Sequence, residues 1–390
     1  MGRETSETHA PPATIRRTER SRFARETIHK IIPALLHSNP RAKRGIESVQ
    51  LLTDLKRVPS SREKGADRSM MKIRILDADT FTAAAALSKP SVSASAKTAP
   101  PKVAVLSMAS PLRPGGGVLT GATSQEESLC VRSTLYPSLR EEFYRLPPLG
   151  SIYTPDVMIF RDEDNKDLLK RDRFYIDVIS CAALRFPELE GGRYEKASDR
   201  EQTWEKMRAV MRAAVQGGVD RIVLGAWGCG AYGNPIEEVA DGWKKVLIAS
   251  AVKGGRGNKE EWSGVEEVVF AISTKHAEGS HQLEVFRKVF EGVAVKEEVE
   301  EVPTKTEVNE DDEIRARDIH EIEEAIAVKE GELDRVKNEL LRERIAEVLV
   351  KLKRELVEKS GQDGADDGRD QSDIGGSAET GGSSSKSLKD

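Results

Sequence analysis

The middle of the chain alternates between short apolar runs and amphipathic helical patterns. Residues 103–108 and 221–225 are largely apolar, which is typical of strands buried on both faces of a sheet. Elsewhere, apolar positions predict further strands over 72–76, 157–160, 174–179 and 265–273, and helices over 21–36, 81–87, 125–133, 203–215 and 235–251. Strands that alternate with helices in this way predict an α/β fold, with helices on both faces of a mixed central sheet.

Polar segments at both ends set the limits of this folded region. We predict a disordered arm over 1–20, one domain over 21–292 with N-terminal accessory helices, an acidic linker over 293–318, a helical segment over 319–358 and a disordered tail over 359–390. Apolar residues in the helical segment recur mostly at helical spacing among charges. This pattern predicts a helical hairpin or short coiled coil that binds a protein partner, self-associates or folds onto the domain.

Composition limits the binding partners and the cellular location expected for the chain. Its net charge of -5 gives no overall footprint for nucleic acid, although the Arg-rich segment 16–25 could attract a polyanion if it is more than a solvated arm. Three scattered cysteines favour free thiols rather than a disulfide framework or zinc site. No apolar run reaches the roughly 20 residues of a membrane span, and no secretory signal is evident. We therefore expect an intracellular protein of the cytoplasm, the nucleus or both.

Two Gly-rich loops directly follow predicted buried strands. The first contains Gly115, Gly116 and Gly117, and the second runs from Gly225 to Pro235. Glycine lets backbone N–H groups approach phosphate oxygens closely, and ligands of open α/β sheets bind where the strands end. Each loop alone could be only a tight turn. Because there are two, we expect them to clamp a diphosphate.

Adjacent carboxyl groups end the first loop, at Glu126 and Glu127. Two neighbouring Glu residues could simply form the exposed first turn of a helix, where the dipole favours them. Beside a diphosphate, however, a carboxylic acid can protonate a departing sugar oxygen. As a carboxylate it can then activate water, which is the usual logic of glycoside hydrolysis. We favour this second interpretation because the three glycines lie in the same loop.

The sequences of both loops resemble those of the microbial-type poly(ADP-ribose) glycohydrolases. The resemblance rests on Gly115–Gly117 followed by Gln125-Glu126-Glu127, on Gly225-Ala226-Trp227-Gly228-Cys229-Gly230, and on Tyr153–Val157. It spans about residues 20–292 and implies a macrodomain-like fold. The implied activity is hydrolysis of ribose–ribose O-glycosidic bonds in poly(ADP-ribose) with release of ADP-ribose, without metal or cofactor. Poly(ADP-ribose) or ADP-ribosylated proteins would be the substrate.

The resemblance also implies a role for each site residue. Glu127 would be the catalytic acid/base, and Glu126 would orient the ribose. The expected substrate-binding residues are Gly115, Gly116, Gly117, Gln125, Gly228, Cys229, Gly230 and Tyr232. The glycines would contact the diphosphate, and Tyr232 would pack against a ribose.

Two alternatives remain open at this point. The chain could hydrolyse mono-ADP-ribosyl links, or it could bind ADP-ribose without catalysis, although binding-only domains generally lack the Gln-Glu-Glu sequence. Many family members have Asn where this chain has Ser107, and Asn again near Thr120. These departures put the preference for chain length in doubt but leave the carboxyl groups intact.

Overall fold

The structure is a computed structural model, and it describes residues 13–58, 71–89, 100–248, 260–275, 278–293 and 339–360, together with Ile322, Ile326, Lys329 and Leu333. The strands are β1 (Gln50–Leu52), β2 (Lys72–Leu76), β3 (Val103–Met108), β4 (Ser151–Ile159), β5 (Phe174–Cys181), β6 (Leu189–Glu190), β7 (Arg193–Tyr194), β8 (Arg221–Leu224) and β9 (Glu267–Ala271). The helices are α1 (Ala13–Glu26), α2 (Ile32–Ser38), α3 (Pro40–Glu47), α4 (Thr80–Leu87), α5 (Gln125–Arg132), α6 (Ala197–Gln216), α7 (Ile236–Ile248), α8 (Gly279–Val289) and α9 (Glu339–Ser360).

Seven strands form one mixed sheet in the order β1-β4-β5-β3-β8-β9-β2. The five strands β5, β3, β8, β9 and β2 are parallel to one another. Strand β4 runs antiparallel to both β5 and β1. The predicted mixed α/β architecture is confirmed. The sequence predicted only the second half of β4, because a register shift between Thr154 and Val157 interrupts its alternation.

The core lies on both faces of the sheet, and β3 shows why. Val103 and Val105 pack into a cluster with residues of α4 and α5, whereas Ala104 and Leu106 pack into a second cluster with α6, α7 and α8. All four side chains are at most 3% exposed. Since successive residues of a strand point to opposite faces, an uninterrupted apolar run is what a sheet covered by helices on both sides requires.

The N-terminal helix begins earlier than the sequence predicted. We expected a disordered arm up to residue 20 and a helix from Ser21, but α1 begins at Ala13. Residues 13–20 carry no apolar stripe, and side-chain bonds to a distant loop hold them instead. A π-helical turn, Thr27–Ile31, joins α1 to α2. Residues 1–12 of the predicted arm lie outside the described residues.

Residues 298–390 form a separate compact unit. Within it, Ile345 and Leu349 of α9 pack with Ile322 and Ile326 in an apolar cluster, in keeping with the predicted helical pattern. The predicted coiled coil, partner binding and self-association stay predictions. The acidic linker and the tail beyond Ser360 lie outside the described residues. None of the described helices is long and apolar enough to cross a membrane.

Candidate active site

Gln125 fixes the start of α5 against the sheet. Its Nε2 donates to Leu106 O at 2.8 Å, and its Oε1 accepts from Met108 N at 2.8 Å. The same Nε2 lies 3.2 Å from the hydroxyl of Thr80, at the start of α4. Both amide atoms are therefore used by the protein itself, so Gln125 sets where α5 begins. Its predicted contact with substrate stays a prediction.

Glu126 and Glu127 occupy the first turn of α5 but are not an exposed pair, since they are only 3% and 7% exposed. Glu126 Oε2 accepts from Ser110 N at 2.7 Å, and Glu127 Oε1 accepts from Gly117 N at 2.7 Å. The other two oxygens, Glu126 Oε1 and Glu127 Oε2, are buried and have no hydrogen-bond partner among the described residues. A buried acceptor without a partner costs about 1–3 kcal/mol. Two of them side by side are typical of a site that binds a ligand.

The environment of Glu126 keeps this carboxyl group neutral. Burial is the largest cause that raises its pKa to about 8, and the nearby charge of Glu127 acts in the same direction. Hydrogen bonds from the backbone N–H groups of Ser110 and Gly115 oppose the shift. Glu126 is therefore mostly protonated at neutral pH. A neutral carboxylic acid thus lies directly beside a second carboxyl group, which is an arrangement suited to proton transfer.

The first glycine loop wraps the two carboxyl groups. Gly115 and Gly116 have φ values of +60° and +55°, a region that favours glycine. A Cβ on Gly116 would lie 2.6 Å from Glu127 Oε1 and 2.8 Å from Glu126 Oε2. Gly116 N donates to Arg113 O, and Gly117 N donates to Glu127. The loop therefore differs from the open anion nest that we predicted, because its N–H groups bind the protein's own oxygens.

The second glycine loop has the opposite character. The N–H groups of Gly228, Gly230, Ala231 and Tyr232 have no hydrogen-bond acceptor within the part of the chain that the structure describes. A Cβ on Gly230 would meet nothing within 4 Å. Backbone N–H groups left open in one short loop form a concave site for an anion. This loop thus has the open N–H groups that binding of a diphosphate requires.

Asn234 sets the shape of the second loop. Its Nδ2 donates to Leu184 O at 2.8 Å and to Gly228 O at 3.1 Å, and its Oδ1 accepts from the hydroxyl of Tyr194 at 2.8 Å. Gly228 has a φ of +77°, and a Cβ there would lie 2.6 Å from Asn234 Nδ2. No sequence motif predicted this role for Asn234. Its place directly before Pro235, at the end of a Gly-rich loop, is the signal that could have found it.

Tyr232 lies between the carboxyl groups and an exposed aromatic side chain. Burial raises its pKa, a hydrogen bond with the side chain of Ser110 lowers it, and the nearby Glu126 raises it. On its other side, the ring centroid of Phe186 lies 6.2 Å away, and the Arg185 guanidinium lies 5.6 Å from the Tyr232 ring centroid. The sequence pattern did not predict Ser110, Arg185 or Phe186 as site residues, because isolated residues of these types belong to no recognisable motif.

A buried ion pair holds the other end of α5. Arg132, which is 4% exposed, donates to Asp79 Oδ1 at 2.8 Å, and Asp79 also caps α4 through the N–H groups of Phe81 and Thr82. Burial acts to raise the pKa of Asp79, but Arg132 and the hydrogen bonds outweigh it and lower the pKa. The helix that carries both carboxyl groups is therefore fixed at each end.

The other residues singled out from the sequence are Cys229, Ser107 and Thr120. Cys229 is partly buried, and burial raises the pKa of its thiol. Ser107 is fully buried in β3, and its hydroxyl has no hydrogen-bond partner among the described residues. Thr120 braces the first loop through its hydroxyl, which donates to Gly117 O at 2.9 Å. No group of His, Cys, Asp and Glu within the described ranges could hold a metal ion.

Comparison with known proteins connects this geometry to one family. Residues 41–162 match the family described as microbial-type PARG, catalytic domain, where PARG is poly(ADP-ribose) glycohydrolase. The chain resembles microbial-type PARG enzymes. The X-ray structure of PARG from Thermomonospora curvata aligns at a TM-score of 0.55 with 26% sequence identity, over 70% of this chain and 100% of that chain.

Two liganded structures extend the comparison with PARG. One is the T. curvata enzyme bound to the inhibitor ADP-HPD, at a TM-score of 0.51 and 25% identity, over 70% of this chain and 99% of that chain. The other is PARG from Deinococcus radiodurans in complex with ADP-ribose, at a TM-score of 0.51 and 25% identity, over 66% and 99%. No curated protein sequence matches this chain. The predicted fold is confirmed, and so is the predicted resemblance to PARG enzymes.

Proposed function

We propose that this protein hydrolyses ribose–ribose O-glycosidic bonds in poly(ADP-ribose) and releases ADP-ribose. The observation that carries the proposal is the pair of carboxyl oxygens, Glu126 Oε1 and Glu127 Oε2, that are buried without a partner among the described residues. Solved PARG structures that share the fold bind ADP-ribose and the inhibitor ADP-HPD. Hydroxyl groups of a ribose and its glycosidic oxygen would supply the missing donor and acceptor partners.

The two carboxyl groups would divide the work. With the substrate bound, Glu127 would carry a proton and give it to the departing ribose oxygen as the glycosidic bond breaks. It would then take a proton from the water that attacks the anomeric carbon, so that both ribose products end with hydroxyl groups. Glu126, neutral at pH 7, would bind a ribose hydroxyl beside it. These steps use only the side chains of this chain and water.

The second loop would hold the diphosphate of the same ADP-ribose unit. The N–H groups of Gly228 and Gly230–Tyr232 have no acceptor within the described residues, and a Cβ at Gly230 would meet nothing. Tyr232 contributes the last of these amides, and its side chain lies near Ser110, whose N–H binds Glu126. A ribose between the diphosphate and the carboxyl groups would therefore pack against the Tyr232 ring. The N–H of Cys229 already donates to Ala226 O at 3.1 Å, so the predicted contact of Cys229 with substrate stays a prediction.

The test compares release of ADP-ribose from automodified poly(ADP-ribose) polymerase by the wild type, Glu127→Gln and Glu126→Gln. We expect Glu127→Gln to lose about 10²- to 10⁴-fold in rate while it still binds ADP-ribose. Glu126→Gln keeps a neutral side chain of the same size, so we expect it to retain most activity. Glu141→Gln, in an exposed Glu pair outside the site, is the matched control.

Each other outcome assigns a different role. If Glu126→Gln, rather than Glu127→Gln, abolishes release, the acid is Glu126. If the wild type binds ADP-ribose but releases none from the polymer, the proposal of polymer hydrolysis is wrong. Mono-ADP-ribosylated protein would then be the next substrate to assay, and inactivity there would leave a binding domain.

A further inference from the structure

The basic helix α1 is bonded to the first glycine loop across about a hundred residues of sequence. Arg17 Nε donates to Thr120 O at 2.9 Å, Arg20 Nε donates to Gly121 O at 3.0 Å, and Ser21 Oγ donates to Leu119 O at 2.6 Å. Three successive side chains of the helix face thus bind three successive carbonyls of the loop. A helix that only covered the surface would not need this one-to-one pairing.

The loop is built to receive the helix at close range. Gly121 has a φ of +76°, and a Cβ on it would lie 2.2 Å from Arg17 O. Any larger residue at this position would push α1 away from the loop. The close approach therefore depends on a feature of the loop as well as on the three side chains of the helix.

The contacted segment leads directly to the carboxyl group proposed as the acid. Gly117 O accepts from Thr120 N at 2.9 Å, from Thr120 Oγ1 at 2.9 Å and from Ala122 N at 3.1 Å. The N–H of the same Gly117 donates to Glu127 Oε1 at 2.7 Å. A displacement of residues 119–121 would therefore move the peptide that holds Glu127.

The end of α1 and the π-helical turn that follows it, Thr27–Ile31, reach the other end of α5. Ala24 and Ile28 are buried in the core beside it. Arg161 Nη1, in a side chain that is 3% exposed, lies 2.8 Å from Thr27 Oγ1 and 2.9 Å from Val131 O. The N-terminal segment thus holds the carboxyl-bearing helix from two sides: α1 acts through the glycine loop, and the π-helical turn acts through Arg161.

We infer that α1 is a positioning element for Glu127, with Arg17, Arg20 and Ser21 as positioning residues that act through Gly117. The catalytic half of this inference rests on the proposed function, whereas the structural half does not. Without the helix bonds, the loop samples other conformations, and Glu127 loses the N–H that orients its carboxyl group. Formation of the site then depends on the N-terminal segment of the chain.

The test uses the full chain with the double variant Arg17→Ala/Arg20→Ala and, as a milder change, Ser21→Ala. Arg22→Ala is the control for loss of an arginine from the same helix: it removes one charge where the double variant removes two, and helical geometry places position 22 about 140° around the axis from Arg17. The rescue variant is Arg17→Lys/Arg20→Lys, since the Lys ammonium can still donate to a carbonyl. Hydrogen exchange of the amides of 115–122 reports on the loop, and steady-state kinetics of ADP-ribose release report on Glu127.

We expect faster exchange across 115–122 in the double variant, with kcat lowered about 10- to 100-fold and KM changed far less. The control should match the wild type in both readings, and the Lys variant should recover much of kcat. Faster exchange with unchanged kcat would overturn the positioning role. If the loop amides of the double variant exchange no faster than those of Arg22→Ala, α1 does not hold the first glycine loop in place. If the wild type releases no ADP-ribose, the proposed function fails. The exchange comparison still shows whether α1 holds the first glycine loop in place.

Discussion

The two glycine loops look alike in sequence but differ in what their backbone N–H groups do. In the first loop, the N–H of Gly117 binds Glu127 and that of Gly115 lowers the pKa of Glu126. In the second loop, the N–H groups of Gly230–Tyr232 have no acceptor among the residues described. Glycine therefore serves two purposes here. One loop orients the protein's own acids, and the other leaves donors open for an anion.

The two loops are also held in shape differently. Helix α1 bonds to the first loop from outside through Arg17, Arg20 and Ser21. The second loop is held by one of its own residues, because Asn234 bonds to both Leu184 O and Gly228 O. We therefore expect damage to the first loop to appear mainly in turnover, and damage to the second mainly in ligand affinity.

The largest effect is expected from Gly116→Ala. The new Cβ would overlap oxygens of both Glu126 and Glu127, and the φ of +55° disfavours any L side chain by about 1–2 kcal/mol. Since a displacement of a catalytic group by about 1 Å can cost about 100-fold in rate, we expect at least that loss in ADP-ribose release. Activity close to that of the wild type would show that the loop does not need its present contact with the carboxyl groups.

A smaller loss, in affinity rather than rate, is expected from Asn234→Ala. Leu184 O and the Tyr194 hydroxyl lose their bond to Asn234, and Gly228 O keeps only its bond from the backbone N–H of residue 234, which should lower the free energy of unfolding by about 2 kcal/mol or more. Calorimetry should show weaker ADP-ribose binding. Asn234→Asp keeps an acceptor for Tyr194 but loses both donated bonds, so it should bind ADP-ribose weakly as well. Wild-type affinity in both variants would show that ADP-ribose binding does not depend on the loop shape that Asn234 stabilises.

The raised pKa of Glu126 predicts how the stability of the protein changes with pH. The folded-state pKa of Glu126, about 8, is above its value in the unfolded chain, so the folded state binds the extra proton. Its contribution to stability is present below about pH 4 and is lost as pH rises through 8. Glu126→Gln cannot lose a proton. We expect the Tm of Glu126→Gln, relative to wild type, to rise between pH 5 and pH 9, and a constant difference would contradict the raised pKa.

The smallest effect on the fold is expected from Gly230→Ala. Its Cβ would meet nothing within 4 Å, so Tm should equal that of the wild type. If a diphosphate binds to the open N–H groups, however, the methyl group should weaken ADP-ribose binding several-fold. Unchanged affinity would place the diphosphate away from this loop. Gly191→Ala is less suitable as a control, because Gly191 has a φ of +56°.

The sequence predicted the central sheet and the paired carboxyl groups well, for physical reasons that are local. An apolar run such as 103–108 has to be buried, and its place between helices leaves few folds open. The edge strands were harder. β1 is only three residues long and half exposed, and β4 carries a bulge with Asp156 at a φ of +50°.

The direction of the loop N–H groups could not be read from the sequence. Gly115–Gly117 and Gly228–Gly230 have the same composition bias, and only tertiary structure decides whether a carboxyl group or open space faces each amide. The start of α1 was mispredicted for a related reason. The Arg-rich residues 13–20 are held by carbonyls about a hundred positions away, which no local pattern encodes.

The pairing of α1 with residues 119–121 also affects how the chain folds during synthesis. The helix leaves the ribosome first, but the carbonyls that bind it follow 98–103 residues later. An isolated helix of this length is marginal in water, so its arginines stay solvated until the first loop has been made. Docking of α1 is therefore a long-range closure that has to wait for residues 119–121, although β4, β5, β8 and β9 follow this loop in the chain and are made later still.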